Sequence, residues 1–358
     1  MARPTRIKID TQALLHNLTC IKRQAPRQAV IAMIKANAYG CGILEAARTL
    51  EPHVEGFGVA CIEEALVIRQ AGIQKRCVLF GGVFTPDEYP LLAKHRLDCV
   101  IHQPYQLTWL CQTPLANPIK VWIKLDTGMH RLGFAPTEVS AILHALKSCG
   151  WVDKDITVMS HFGCADEHTR AVNQAQIDLF EKTTGVLAPV TKSMANSAAI
   201  FRLPQAHFDI IRPGIALYGA SPFADISASE LGLKPVMHLT SRISAIKSYA
   251  KGEKIGYGGR WQTPRPSQIA LVPIGYGDGY PRHIQPNTPV WVNNKALPVV
   301  GTISMDMLTI DITEHPSVAV GDEVELWGAH IPIERVAKAA GTIAYELLCQ
   351  FVPRVNVV

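Results

Sequence analysis

The sequence runs to 358 residues, 48% hydrophobic and 18% charged, which describes a globular chain with an ample core and about two domains. Its net charge is only +5 and no Lys/Arg tract is concentrated anywhere, so neither nucleic acid nor an anionic membrane is indicated as a partner. Nine cysteines stand singly without a Cys-x-x-Cys pair, the opening residues lack an apolar signal core, and no stretch approaches the roughly 18 apolar residues of a membrane span; together these point to a soluble, cytoplasmic protein without a zinc site.

Residues 6–9 alternate apolar and polar, after which Asp10-Thr11 caps a helix carrying Leu14, Leu15 and Leu18 on one face. Short apolar runs then recur near 29–34, 56–60, 77–81, 98–101, 120–125, 156–160, 191–195 and 208–211. Helical patterns lie between most of them, as over Ile62 to Gln70, Pro136 to Leu146 and Thr169 to Leu187. The least strand-like run is the seventh, Thr-Lys-Ser-Met-Ala. Strands alternating with helices pair in parallel through right-handed crossovers, and eight of them within about 220 residues predict a (β/α)8 TIM-type barrel. An open doubly wound sheet would want a glycine-rich turn after its first strand, and no Gly-x-Gly-x-x-Gly stands there.

Near residue 233 the alternation stops. Strand-like runs at 239–248, 269–274, 289–300 and 302–312, turns at Asn293-Asn294 and Gly321-Asp322, and a strand over Glu323–Trp327 predict a predominantly β domain. Helical stretches from Ile333 to Ala340 and Ala344 to Phe351 follow. The expected division is a barrel over 1–232 and the β domain over 233–358, with residues 1–9 able to pack on the latter.

A barrel keeps its chemistry just after the C-terminal ends of its strands. Lys35 and Tyr39 follow the first predicted strand; Lys124, Asp126 and Arg131 end or follow the fifth; His161 follows the sixth. Asn196-Ser197 follows the seventh and Arg212-Pro213-Gly214-Ile215 the eighth. Each residue alone has an ordinary reading as a cap, a salt bridge or a satisfied histidine; five strand ends converging on one rim do not. A lysine where a buried strand ends loses its proton more easily and can condense with an aldehyde cofactor. Ser197 at a helix start and Gly214 beside it make an anion site at the loops where barrels often hold phosphate. A phosphorylated aldehyde with an amine opposite suggests pyridoxal 5′-phosphate.

Ile34-Lys35-Ala36-Asn37-Ala38-Tyr39-Gly40, Lys124 through Arg131, Arg212-Pro213-Gly214-Ile215, the Tyr257 turn, Met305-Asp306 and Tyr345-Glu346 resemble the signatures of alanine racemases, in the right order and over nearly the whole chain. The resemblance implies that Lys35 carries pyridoxal phosphate covalently. Tyr39, Ser197, Gly214, Ile215 and Tyr345 would hold its phosphate, and Arg212 would face the pyridine nitrogen. Arg131 and the backbone at Met305 would receive the substrate carboxylate. Tyr257 from a second subunit would be the second catalytic base, with His161 beside it and Asp306 a polar participant near the substrate. Some members carry a carbamate at the lysine matching Lys124. The implied assembly is a head-to-tail homodimer with shared active sites.

The implied activity is interconversion of L- and D-alanine by two bases on opposite faces, supplying D-alanine for peptidoglycan. A tyrosine starts near pKa ~10 and needs cationic neighbours, for which His161 and Arg212 are the expected pair. A broad-specificity amino-acid racemase differs only in pocket shape. A pyridoxal phosphate-binding barrel without racemase activity would need neither the β domain nor Tyr257, and a decarboxylase on a related barrel would not want this carboxylate clamp. A metal enzyme would have to draw on His161, Asp166 and Glu167. One departure from the family pattern is Cys41-Gly42, where His-Gly is common.

Overall fold

The computed structural model describes residues 3–168, 170–187 and 189–357. After strand β1 (Arg6–Ile9), eight parallel strands close into a barrel: β2 (Ala29–Met33), β3 (Gly56–Val59), β4 (Arg76–Leu79), β5 (Asp98–Ile101), β6 (Val121–Lys124), β7 (Thr157–Met159), β8 (Thr191–Ser193) and β9 (Ile210–Ile211). Closure comes from β9 pairing with β2 through Ala29↔Ile210 and Val30↔Ile211. Apart from β8, whose Thr191 and Lys192 are half-buried, these strands are largely buried on both faces, which explains their apolar runs. Ile31, Val78, Val100, Trp122, Met159 and Ile210 fill the interior as a core rather than a pore.

The lower mouth of the barrel is sealed where β4 and β5 begin. Arg76 Nε donates to Asp98 Oδ2 at 2.6 Å, Trp122 Nε1 donates to the same oxygen at 3.2 Å, and the guanidinium lies 5.2 Å from the indole centre. The upper mouth, at the strand C-termini, is left open for chemistry. The helix Thr11–Gln24, capped by Asp10 accepting from Ala13 N at 2.9 Å, packs against Ile43–Leu50, Ser197–Arg202 and the turn Ile215–Tyr218. The outer ring is thus completed by a helix that precedes the first barrel strand, while β9 is followed only by a short turn.

The second half adds β10 (Met237–Arg242), β11 (Ala245–Tyr249), β12 (Lys254–Ile255), β13 (Trp261–Gln262), β14 (Ser267–Val272), β15 (Pro289–Val292), β16 (Lys295–Val300), β17 (Leu308–Asp311), β18 (Glu323–Trp327) and β19 (Asn356–Val357). Nine strands form one sheet in the order β11-β14-β17-β16-β15-β18-β10-β1-β19, so Arg6–Ile9 belongs to this sheet and not to the barrel. β12 and β13 make a separate hairpin, unforeseen in the sequence, whose tip is the turn Tyr257–Gly259.

Three predicted elements differ from what forms. The strand expected over 302–312 begins only at Leu308, because Ser304 Oγ accepts from Met307 N and donates to Met307 O, curling the chain into a loop first. The run at 239–248 breaks at Ile243-Ser244 into two strands set far apart in the sheet. The helix expected from Thr169 to Leu187 spans Arg170–Gly185, Thr169 itself lying outside the described residues. Among the described residues no helix is long and apolar enough to cross a membrane.

Candidate active site

Lys35 follows Ile34 directly after β2, and the backbone there turns the wrong way for L-residues. Ala36, Asn37, Ala38 and Tyr39 all have φ between 52° and 54°, a left-handed helical turn built from four non-glycine residues. Each such residue costs roughly 1–2 kcal/mol, so the turn persists only because its surroundings dictate it. Glu64 Oε1 accepts from Ala36 N at 2.6 Å, Asn37 Oδ1 accepts from Ile43 N at 2.9 Å, and Ala38 is completely buried. Gly40, at φ 77°, ends the turn against Leu348, whose carbonyl oxygen a Cβ at position 40 would strike. The reversed twist presents Lys35 upward while driving Tyr39 inward.

Lys35 and Tyr39 share a cavity of about 560 Å³ at the top of the barrel with Lys124, Arg131, His161, Ser197, Arg212, Gly214, Ile215 and Tyr345. Ten of the residues expected at the site are therefore brought together within one chain. Lys35 is reachable from solvent through the open mouth, yet the protein around it, reinforced by Arg131, depresses its pKa. Lys124 ends β6 almost wholly buried, and burial followed by Arg131 and Arg212 pulls its amine down to about 8.

One end of the cavity carries hydroxyl groups. Tyr39 stacks on Tyr218 with ring centres 4.6 Å apart and lies 6.1 Å from the ring of Tyr345. Burial raises the pKa of both Tyr39 and Tyr345, keeping their phenols protonated as donors. Ser197 Oγ accepts from Gly214 N at 2.9 Å and Ala216 N at 3.3 Å, which leaves its own proton free to donate. A Cβ at Gly214 would collide with the Tyr39 hydroxyl, so only glycine lets the two loops meet there.

Arg212 is buried beside this end. Its Nη1 donates to Ser193 Oγ at 2.5 Å and its Nη2 to Ser160 O at 2.7 Å and Met194 O at 3.2 Å. Nε has no protein acceptor among the described residues. Burial lowers the guanidinium to about 9, and with these acceptors it stays charged at neutral pH. Its Nη2 also points at His161 Nδ1, 3.4 Å away.

That contact corrects one expectation. His161 was expected to be a cationic neighbour, but burial, then Arg212, Lys124, Arg131 and Lys35 push its pKa well below the ordinary value, so the imidazole is neutral. With Arg212 facing Nδ1 as a donor, the ring proton belongs on Nε2.

Three expected residues do not line the cavity. Tyr257 is 69% exposed at the hairpin tip, and Met305 and Asp306 are exposed on the loop before β17. Several residues that shape the site carried no sequence signal. Gln176, buried on the helix Arg170–Gly185, donates to Thr127 Oγ1 and His161 O and accepts from Gly163 N, tying the Arg131 loop to the His161 loop. Ser160, Ser193 and Glu64 look like ordinary strand or helix-start residues, and Cys349 on the helix Ala344–Cys349 faces the cavity near Lys35. Cys41, by contrast, is a buried thiol whose pKa burial pushes up, a packing residue rather than a reactive one. Among the described residues no three His, Cys, Asp or Glu side chains gather as metal ligands.

Comparison with known proteins gives this geometry its relatives. The family model described as alanine racemase, N-terminal domain, matches residues 9–222, and that of the alanine racemase C-terminal domain matches 236–358. An alanine racemase of Legionella pneumophila (strain Lens) is 55% identical over 356 residues, covering 99% of each chain. One from Vibrio parahaemolyticus is 44% identical over 97% of each. The crystal structure of biosynthetic alanine racemase from Pseudomonas aeruginosa superposes with a TM-score of 0.96 at 42% identity, and the structure of alanine racemase from Acinetobacter baumannii with 0.93 at 41%, each covering 99% of both chains. With both halves matched in order and full-length relatives above 40% identity, the chain belongs to the alanine racemase family.

Proposed function

We propose that the protein interconverts L- and D-alanine, using pyridoxal 5′-phosphate held in the barrel-top cavity and a second copy of the chain to complete each site. The observation that carries this reading is the cavity itself: an amine of depressed pKa at Lys35, with the hydroxyls of Tyr39, Ser197 and Tyr345 and the guanidinium of Arg212 in the same space. Those hydroxyls suit a phosphate dianion, and Arg212 Nε is free for a ring nitrogen. A guanidinium only donates, so Arg212 holds that nitrogen unprotonated. When bound, the cofactor acidifies the substrate Cα–H by drawing electrons into its ring.

The remaining work falls to side chains. Arg131 and the Met305 amide of a second copy bind the substrate carboxylate and fix which faces of Cα are presented. Lys35 Nζ moves a proton at one face. Tyr257 Oη of the second copy moves one at the other, with His161 Nε2–H donating to that oxygen and easing its ionisation, and Asp306 beside them. Lys124 takes up carbon dioxide as a carbamate, replacing a cation next to Arg131 with an anion that orients it. The exposure of Tyr257, Met305 and Asp306 supports a second copy as their destination. Supply of D-alanine for peptidoglycan is the role this reading assigns.

Borohydride reduction of the yellow protein and peptide mapping should place the pyridoxyl group on Lys35, and single enantiomers of alanine should invert. A panel of larger amino acids in the same assay sets the breadth. A label on another lysine, or no inversion, overturns the reading.

A further inference from the structure

The loops after β14 and before β17 leave the sheet at the same end and are bound to each other. Tyr276 N donates to Ser304 O at 3.1 Å and Gly277 N to Met305 O at 2.9 Å. Behind them lies Asp278, whose side chain is completely buried and accepts from Gly275 N at 2.9 Å. A buried carboxylate with one amide for company is costly unless cations reach it. Two do, from far apart in the sequence. Arg3 Nη2 lies 2.8 Å from Asp278 Oδ2, and Arg354 Nε lies 2.8 Å from Asp278 Oδ1.

Both arginines then go on to the loop before β17. Arg354 Nη1 donates to Asp306 Oδ1 at 2.9 Å and Nη2 to Met305 O at 3.2 Å. Arg3 Nη2 reaches Asp306 O at 3.0 Å, and Arg3 Nη1 lies 4.0 Å from Asp306 Oδ1. Two guanidinium groups and two carboxylates thus form a neutral four-residue ring with Met305-Asp306 on its rim. Every backbone contact recorded there engages a carbonyl oxygen, Met305 O or Asp306 O, while Met305 N–H has no acceptor among the described residues.

We propose that Arg3 and Arg354 are positioning residues for substrate-carboxylate recognition: anchored on Asp278, they hold the Met305–Asp306 loop so that the Met305 amide stays presented outward. This rests on the reading that Met305 N–H receives the carboxylate of substrate bound by a second copy. Two planar forks suit the task, since each must meet Asp278 and the loop simultaneously; Arg354 does so with three separate nitrogens, whereas an ammonium's donors radiate from one atom and span less. The carboxylate is held alike in ground and transition states, so loosening its anchor raises KM and spares kcat.

The test uses holoenzyme carrying Arg3→Gln, Arg354→Gln or Arg354→Lys. Each glutamine variant should raise KM for both alanine enantiomers about ten- to a hundredfold, with kcat changed less than about threefold, in keeping with the cost of a small misplacement by a residue remote from the chemistry. Arg354→Lys should recover little of the loss, whereas a role limited to neutralising Asp278 would let it recover most. Amide hydrogen exchange over 304–307 should quicken in both glutamine variants, a readout independent of turnover. Arg3→Gln leaves Arg354 on Asp278 and keeps the test open if Arg354→Gln fails to fold. Unchanged KM and unchanged exchange overturn the clamp. Absence of inversion by the unaltered enzyme instead overturns the functional reading, and the exchange experiment still judges the clamp.

Discussion

At the residue scale the amine of Lys124 shows how far burial reaches into chemistry. An unfolded lysine titrates near ~10.4, and the folded one near about 8. Between those values the unfolded chain binds a proton that the folded chain has released, so this group adds stability as pH rises through the window and opposes folding below about 8. A neutral amine fraction at ordinary pH is what attacks carbon dioxide: the N–C bond forms, a C–O π bond opens to the carboxylate, and a proton leaves to solvent. With ¹³C-bicarbonate the protein should show one carbamate resonance, growing as pH approaches 8 and missing in Lys124→Gln; a spectrum without it, or one unaltered by the substitution, removes the carbamate from the site.

How much of the site could be read in advance also differs by residue. Lys35, Arg212 and His161 were legible because each lies within two residues of a barrel strand's end, and Ser197 because it opens the helix shortly after β8; the fold then brings all four to one rim. Gln176 was not legible, since a glutamine in the middle of a polar helix looks solvated until the fold brings two loops onto it. The charge state of His161 was misjudged for a related reason: its four cationic neighbours come from three separate segments of the chain.

At the scale of elements, the left-handed turn over Ala36–Tyr39 escaped the sequence altogether, because Lys-Ala-Asn-Ala-Tyr is free of glycine and its alanines favour an ordinary helix. Tertiary contacts override that preference. In a right-handed helix Ala→Gly costs about 1 kcal/mol. At exposed Ala36, φ 52°, the sign should differ: relief of left-handed strain offsets glycine's extra chain freedom, and Ala36→Gly should leave thermal stability unchanged or slightly higher. Gly40→Ala, facing the Leu348 carbonyl at φ 77°, should cost about 1–3 kcal/mol or more. Calorimetric unfolding of the two variants checks both, and destabilisation by Ala36→Gly would mean that the turn is not held as described. The barrel strands were readable for the opposite reason: burial on both faces leaves unbroken apolar runs. Even the polar Thr191–Ser193 is a strand, its Ser193 being used by Arg212.

At the scale of the whole molecule, one chain gathers a cofactor-sized cavity but turns Tyr257, Met305 and Asp306 away from it. The nine-stranded sheet, from which the Tyr257 hairpin and the Met305–Asp306 loop extend, is entered by the chain twice, since β1 joins it before the barrel begins and β10 resumes it afterwards. Such a rigid platform suits presenting a tyrosine to another copy's cavity. In the two-fold dimer proposed above, each site would take Lys35 from one chain and Tyr257 from the other.

The most direct measurement mixes two inactive proteins, Lys35→Ala and Tyr257→Phe, under conditions where subunits exchange. The phenylalanine keeps the ring and removes only the hydroxyl, and loss of a positioned acid–base group is typically worth 10²–10⁴-fold. Each mixed dimer carries one doubly altered site and one intact site, so an equimolar mixture should regain on the order of a quarter of the unaltered racemase activity. If exchange is demonstrated by mass and no activity returns, Lys35 and Tyr257 do not meet across two chains, and the shared-site mechanism is wrong.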